Sequence, residues 1–472
     1  MTQHKRLLTR VVILLGFLTF LWGSPQVFAA ETYQIGTDLT FPPFEFQNED
    51  NEYIGIDIDI LHAIAKDQGF EVELRPLGFD SSIQGVQSGQ LDGMIAGMSI
   101  TEERKANFDF SEPYFDSGIQ MAVAKDDTEI TSYEELAGKT VAAKVGTESA
   151  TFLQDNQEKY GYSIKTYDAA DALYNALTSN KVQAIFDDFP VLGYAINNGQ
   201  PLKLIGEPEK GNSYGFAVKK GTNQKLLEAF NAGLAKLKDS GKYQEIIDTY
   251  ITTAAPTASS ENTFIGLLKN NWPILLKGLG KTIGLAVLSF ALATIVGIIF
   301  GLFSVSPIKA LRVITGAYVD IIRGIPMMVL AFFIFFGFPF NIPDFTAGVI
   351  TLTLNASAYI AELVRGGINA VPKGQMEASR SLGLSHSRTM QKIILPQAVK
   401  IMIPSFVNQF VITLKDTTII SVIGVAELLQ TGRIIVARTS QSTYTYLIIA
   451  LIYLIVITTL TRIARKLEKK VA

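Results

Sequence analysis

Arg104 closes the run Gly97-Met98-Ser99-Ile100-Thr101-Glu102-Glu103-Arg104. Thr101 is an N-cap candidate, which places Glu103 and Arg104 in the first turn of a helix. A guanidinium there lies beside backbone N–H groups that have no helical partner, and it can take a carboxylate in bidentate fashion. Asp188, in Phe186-Asp187-Asp188-Phe189-Pro190, follows an apolar strand and precedes a proline. At such a strand end a carboxylate can meet an ammonium. Together they supply what a zwitterion such as a free amino acid needs, because burying either pole unpaired costs several kcal/mol. On spacing alone, a solvated helix arginine and a turn aspartate fit these two residues as well.

The elements that would hold them alternate. Residues 33–36, 71–74, 92–96, 140–145 and 184–186 read as strands, and residues 58–65, 173–177 and 226–237 have helical apolar spacing. Strands separated by helices predict an α/β region with mostly parallel sheets, whose ligands sit beyond strand ends. Residues 252–263, rich in Thr, Ala, Ser and Pro, read as a linker.

Beyond the linker the chain changes character. The 472 residues exceed one core, and the mean hydropathy of +0.25 averages two unlike parts. Before position 263 there are 37 acidic and 21 basic residues; from 263 onward there are 7 and 20. Apolar stretches at 284–303, 327–340, 345–361, 401–426 and 443–460 predict five membrane spans, a crossing needing about 20 residues. Basic residues after the first span, between the third and fourth, and after the fifth fall on one side if the polar region is outside and the C-terminus cytoplasmic. Arg433 and Arg438 break that pattern. Because the other basic residues sit at span ends, nucleic-acid binding is not expected. Lys5, Arg6 and Arg10, the apolar run 11–21 and Val27-Phe28-Ala29 read as a signal peptide over residues 1–30.

Several chemistries are excluded. Without cysteine there are no disulfides, thiol nucleophiles or zinc–thiolate sites. His4, His62 and His386 are scattered, so neither a metal site nor a histidine-based triad is supported. Gly280-Lys281-Thr282 resembles the end of a phosphate loop, but the position of its first glycine is Leu275.

The polar region resembles the family 3 extracellular solute-binding proteins for polar amino acids. The residues that carry this are Gly36-Thr37-Asp38, Phe41-Pro42-Pro43-Phe44-Glu45-Phe46, Gly55-Ile56-Asp57-Ile58-Asp59, Ala96 to Thr101, Arg104, Phe108-Asp109-Phe110-Ser111, Pro113-Tyr114 and Gly146-Thr147. The resemblance implies a type II periplasmic-binding-protein fold over residues 31–251. Lobe one would take about 31–115 and 215–251, and lobe two about 116–214, with crossovers near 114–118 and 212–216. It implies that Arg104 grips the α-carboxylate with Ser99 and Thr147, and that Asp188 and the Gly97 carbonyl hold the α-ammonium. Phe41 and Phe79 would stack on the ligand, and Asp38 and Lys144 would address its side chain. An acceptor and a donor there suit glutamine first, then glutamate or asparagine, with arginine or histidine as the alternative. Glu148 and Asp187 vary among such proteins.

Residues 264–472 resemble the permease subunit of ATP-driven importers of this class. Gly366-Gly367-Ile368, Val371 to Gln375, Glu377-Ala378-Ser379, Leu382-Gly383-Leu384 and Ile394 to Ala398 match a cytoplasmic coupling loop at about 366–400. Glu377, Ala378, Gly383 and Pro396 are implied to couple to an ATPase. Arg323-Gly324-Ile325-Pro326 and Leu414 to Thr418 also recur in such permeases, and Lys415 and Asp416 could form a neutralised pair. The expectation is an all-α five-helix permease fused to its binder in the plasma membrane. It would work as a homodimer, have no enzymatic activity or cofactor of its own, and rely on a separate ATPase that uses ATP. An amino-acid-gated receptor or sensor is the rival reading.

Overall fold

The computed structural model describes residues 31–48, 50–251, 263–338, 342–439 and 441–471. The expected signal peptide and all of the expected linker except Thr263 lie outside the described residues.

Strands form where apolar residues alternate or run together. They are β1 (Thr32–Thr37), β2 (Phe46–Gln47), β3 (Tyr53–Ile54), β4 (Glu71–Pro76), β5 (Gly93–Met94), β6 (Phe108–Phe110), β7 (Gly118–Ala124), β8 (Thr140–Lys144), β9 (Ser163–Tyr167), β10 (Ala184–Asp188), β11 (Leu202–Lys210) and β12 (Ala217–Lys219). One sheet has the order β4-β1-β5-β12-β6 and another β11-β7-β10-β8-β9. The pairs β1–β4, β1–β5, β8–β9 and β8–β10 are parallel. The pairs made by β12 and β7 are antiparallel, so the sheets are mixed rather than mostly parallel. The reason is topological. Both β7 and β12 follow a crossing between lobes, and each enters its sheet from the opposite end. The crossings touch where Tyr214 donates its N–H to the Phe115 carbonyl at 2.7 Å.

Each lobe has its own core. In the first, the helix Ile56–Gln68 buries Ile56, Ile60, Leu61 and Ile64 beside the stacked rings of Phe216 and Phe230, 4.6 Å apart. In the second, Met121, Val123, Val141 and Phe186 pack together. Each such side chain contributes about 1.5–3 kcal/mol.

Four helices are long and apolar enough to cross a membrane: Phe264–Ser304, Asp344–Ala370, His386–Ile423 (in which 3-10 and π turns are included) and Ser442–Ile463. The stretch expected as the second span is instead a helix pair, Lys309–Gly324 and Met327–Phe336, bent by 98°. Pro326 has no N–H to continue the first helix, and the chain turns there. Counting the pair as one gives five spans. The expected fourth span starts earlier: the helix Leu395–Asp416 gives way to a 3-10 turn, Thr417–Ile423, which closes at Gly424 with φ +88°. Lys415 and Asp416 are adjacent in that helix, and among the described residues no ion pair joins them. Gly297 and Gly301 let the first and third spans approach closely, since a Cβ there would fall 2.6 Å and 2.4 Å from Ile360 and Val364. Gly280-Lys281-Thr282 lies inside the helix Phe264–Ser304, which rules out a phosphate loop.

The two parts touch. Ser81 donates to the Val422 carbonyl at 2.7 Å, Ser442 to Asn175 Oδ1 at 2.7 Å and Tyr446 to Asp171 Oδ2 at 2.5 Å. Leu77 and Phe79 share one apolar cluster with Leu330, Phe335, Ile420 and Ile423.

Candidate ligand cleft between the lobes

A narrow cavity between the lobes is lined by Asp38, Phe41, Phe79, Ala96, Gly97, Ser99, Arg104, Lys144, Thr147, Glu148 and Asp188. Every binding residue named from the sequence is among them, and the fold brings them together from five separate stretches of chain.

Thr101 caps the short helix Glu102–Lys105, accepting from the Arg104 N–H at 3.2 Å. The guanidinium reaches back to the Ser99 carbonyl at 2.9 Å and across the cleft to the Gly146 carbonyl at 2.8 Å, 5.3 Å from the centre of the Phe79 ring. Burial pulls its pKa below the usual arginine value, against the pull of Glu148 and Asp188. Opposite, Thr147 caps the helix Glu148–Tyr160, accepting from the Ala150 N–H at 3.3 Å. That helix start adds N–H groups on the side where the guanidinium sits.

Asp188 accepts from the Tyr214 hydroxyl. Its neighbour Asp187 accepts from the Tyr174 hydroxyl at 3.2 Å and from the Asp188 N–H at 3.0 Å. Burial raises both carboxyls, and Asp187 raises Asp188 further. At the far end Lys144 and Asp38 form a buried ion pair across the lobes. Burial works against both charges, yet each holds the other ionised, leaving Asp38 below and Lys144 above its ordinary value. The sequence assigned these two to a ligand side chain; here they also latch lobe to lobe. Glu148 is tied to Asn212, which donates from Nδ2 at 2.5 Å.

Sequence reasoning left out what stands behind Gly97. The Gly97 N–H donates to Asp57 Oδ2 at 2.8 Å, as does the Tyr114 hydroxyl at 2.8 Å. Asp57 and Glu45 are both fully buried. Asp57 is pushed up to about 7 chiefly by burial, and Glu45 is raised well above its usual value by burial and by Asp57. Gly97 has φ +55°, and a Cβ there would meet Phe41 at 2.7 Å. The signal was an aspartate within the apolar run Ile56 to Ile60, a face that buries.

Residues 33–253 match the bacterial extracellular solute-binding proteins, family 3, and residues 267–472 match the binding-protein-dependent transport system inner membrane component. The L-cystine transport system permease protein TcyB of Bacillus subtilis (strain 168) is 39% identical over 203 residues, 42% of this chain and 87% of that protein. The arginine-binding periplasmic protein of Mannheimia haemolytica is 34% identical over 238 residues, 50% of this chain and 97% of that protein. This chain belongs to the amino acid ABC transporter family. The glutamine transport system permease protein GlnP of Escherichia coli (strain K12) is 36% identical over 203 residues, 42% of this chain and 93% of that protein.

The transporter thus joins an extracellular binding domain to its own membrane permease, both being non-enzymatic transport components. In the permease, Glu377 and Ala378 lie exposed on the helix Lys373–Ser381. Gly383 follows with φ +84°, beside Leu382 at 84% exposed. Pro396 stands where the π turn Met390–Ile394 passes into the helix Leu395–Asp416.

Proposed function

We propose that the transporter imports a polar amino acid, glutamine first, captured outside and passed through its own permease. Arg104 takes the α-carboxylate with Ser99 and Thr147. Asp188 and the Gly97 carbonyl take the α-ammonium, Phe41 and Phe79 enclose the aliphatic part, and the Asp38–Lys144 pair opens to hold the side-chain amide. The observation that carries this reading is a cation and a carboxylate from opposite lobes facing one cavity. A separate ABC ATPase seats on the exposed loop around Glu377, Ala378, Gly383 and Pro396 and uses the ATP. Two copies complete the pore in the plasma membrane, with each C-terminus cytoplasmic. Arginine is the second ligand to test, because Glu148 adds a carboxylate to the cleft wall.

The test is calorimetry of the purified full chain against the common amino acids, wild type beside Arg104→Ala. The variant should lose ~2–5 kcal/mol of affinity, as truncating one side of a buried charge pair does. Unchanged affinity would remove Arg104 from the site, and capture of sugars or peptides alone would reject the reading.

A further inference from the structure

Arg433 and Arg438 broke the charge pattern of the spans, and the structure separates them. Arg438 donates to Asn271 Oδ1 at 2.7 Å. Arg433, half-buried on the helix Leu428–Thr439, makes no hydrogen bond or ion pair among the described residues. It lines a cavity, open to solvent, between the binding domain and the permease. The facing walls are Asp38 and Phe79 of lobe one, Asp168 of lobe two, and Met328 and Phe332 of the bent helix pair. Asp38 and Phe79 also line the ligand cleft, so the two spaces share a wall.

The charges around that cavity are unequal. Asp38, Asp80 and Asp168 are its acids, and Arg433 is the one cation among its lining residues. Glu427, on the same segment, accepts from the Gln430 N–H at 2.8 Å and the Tyr453 hydroxyl at 3.1 Å; it attracts Arg433 electrostatically without a hydrogen bond to it. Asp38 is already paired with Lys144, so Asp80 and Asp168 are the like charges that a carboxylate leaving Arg104 by this route passes before it reaches the spans. Uncompensated, that is a barrier; a cation on the permease side removes it.

We propose that Arg433 is a handover site, the permease group that receives the α-carboxylate of the amino acid as the lobes part. The inference rests on the amino acid import reading above. It adds a second carboxylate-binding position, on the membrane half of the chain. Between the two positions the ligand keeps a cationic partner for its anionic end, while the apolar Met328 and Phe332 border its path.

The test compares Arg433→Gln and Arg433→Lys in the full chain. Uptake of radiolabelled L-glutamine and L-arginine is measured in cells whose own copy of the gene carries each variant, so the natural ATPase is present. Calorimetry on the purified full-length variants supplies Kd. Arg433→Gln should lower saturating uptake about tenfold or more while Kd stays within about twofold, and Arg433→Lys should keep most of the uptake. Uptake by Arg433→Gln within about twofold of wild type overturns the handover site and leaves the import reading standing. An equal loss in both variants, or a loss matched by weaker Kd, also overturns it, because it marks a structural role. A wild-type chain that binds no amino acid rejects the import reading and this one with it.

Discussion

Gly97 lines the cleft between the lobes, and its position depends on two acids that are not among the cleft's lining residues. Its N–H is held by Asp57, and Asp57 lies beside Glu45 in a fully buried setting. Both carboxyls are raised in the folded protein, so the native state binds more protons here than the unfolded chain. Stability from this pair is therefore fully present below the unfolded carboxylate values near 4 and is lost as pH rises toward about 7 and beyond. Glu45→Gln removes one of the two acids and keeps the shape. In scanning calorimetry of the full chain, the binding-domain transition of this variant should depend less on pH than that of wild type and be the more stable at pH ~8. An unchanged pH profile would show that the pair does not share a proton.

At the scale of elements, a turn of the permease packs against a loop of lobe one. The 3-10 turn Thr417–Ile423 ends at Gly424, whose φ of +88° suits glycine alone. A Cβ there would lie 2.1 Å from Leu77 Cδ2 in lobe one, next to the Ser81 hydrogen bond to Val422. Gly424→Ala should cost about 1–2 kcal/mol of backbone strain and also push lobe one off the permease. The expected outcome is uptake reduced about tenfold with amino acid Kd unchanged. Adding Leu77→Ala should recover part of the loss. Full activity in Gly424→Ala would mean that this docked arrangement is not on the transport path.

At the scale of the whole molecule, the binder is held to its pore by covalent attachment and by contacts from both lobes. Tethering of this kind gives an effective concentration of ~mM, so docking needs little intrinsic affinity. The modest polar contacts through Ser81, Asn175 and Asp171 are in keeping with that. The exposed loop around Glu377 and Gly383 is the proposed seat of the separate ATPase, and on that reading it bears on ATP use rather than capture. Glu377→Lys should abolish ligand-stimulated ATP hydrolysis in the reconstituted assembly while amino acid affinity stays unchanged. Normal stimulation would remove the loop from coupling.

The amino-acid sequence by itself determined the two-part architecture, because hydropathy and charge change sharply at the same place in the chain. Arg104 and Asp188 were legible as candidates from a local feature, a cap and a strand end, whereas Asp38 and Lys144 were named only through the resemblance to the family. The tertiary structure alone decided three things. Asp38 and Lys144 pair with each other across the lobes, Gly97 rests on Asp57, and Arg433 stands at a cavity bounded by segments more than 250 residues apart. It also resolved the expected second span into a helix pair bent by 98°. Composition and spacing report how a segment meets solvent or lipid; they carry no information on which distant side chain ends up opposite, and charge pairing depends on that distance.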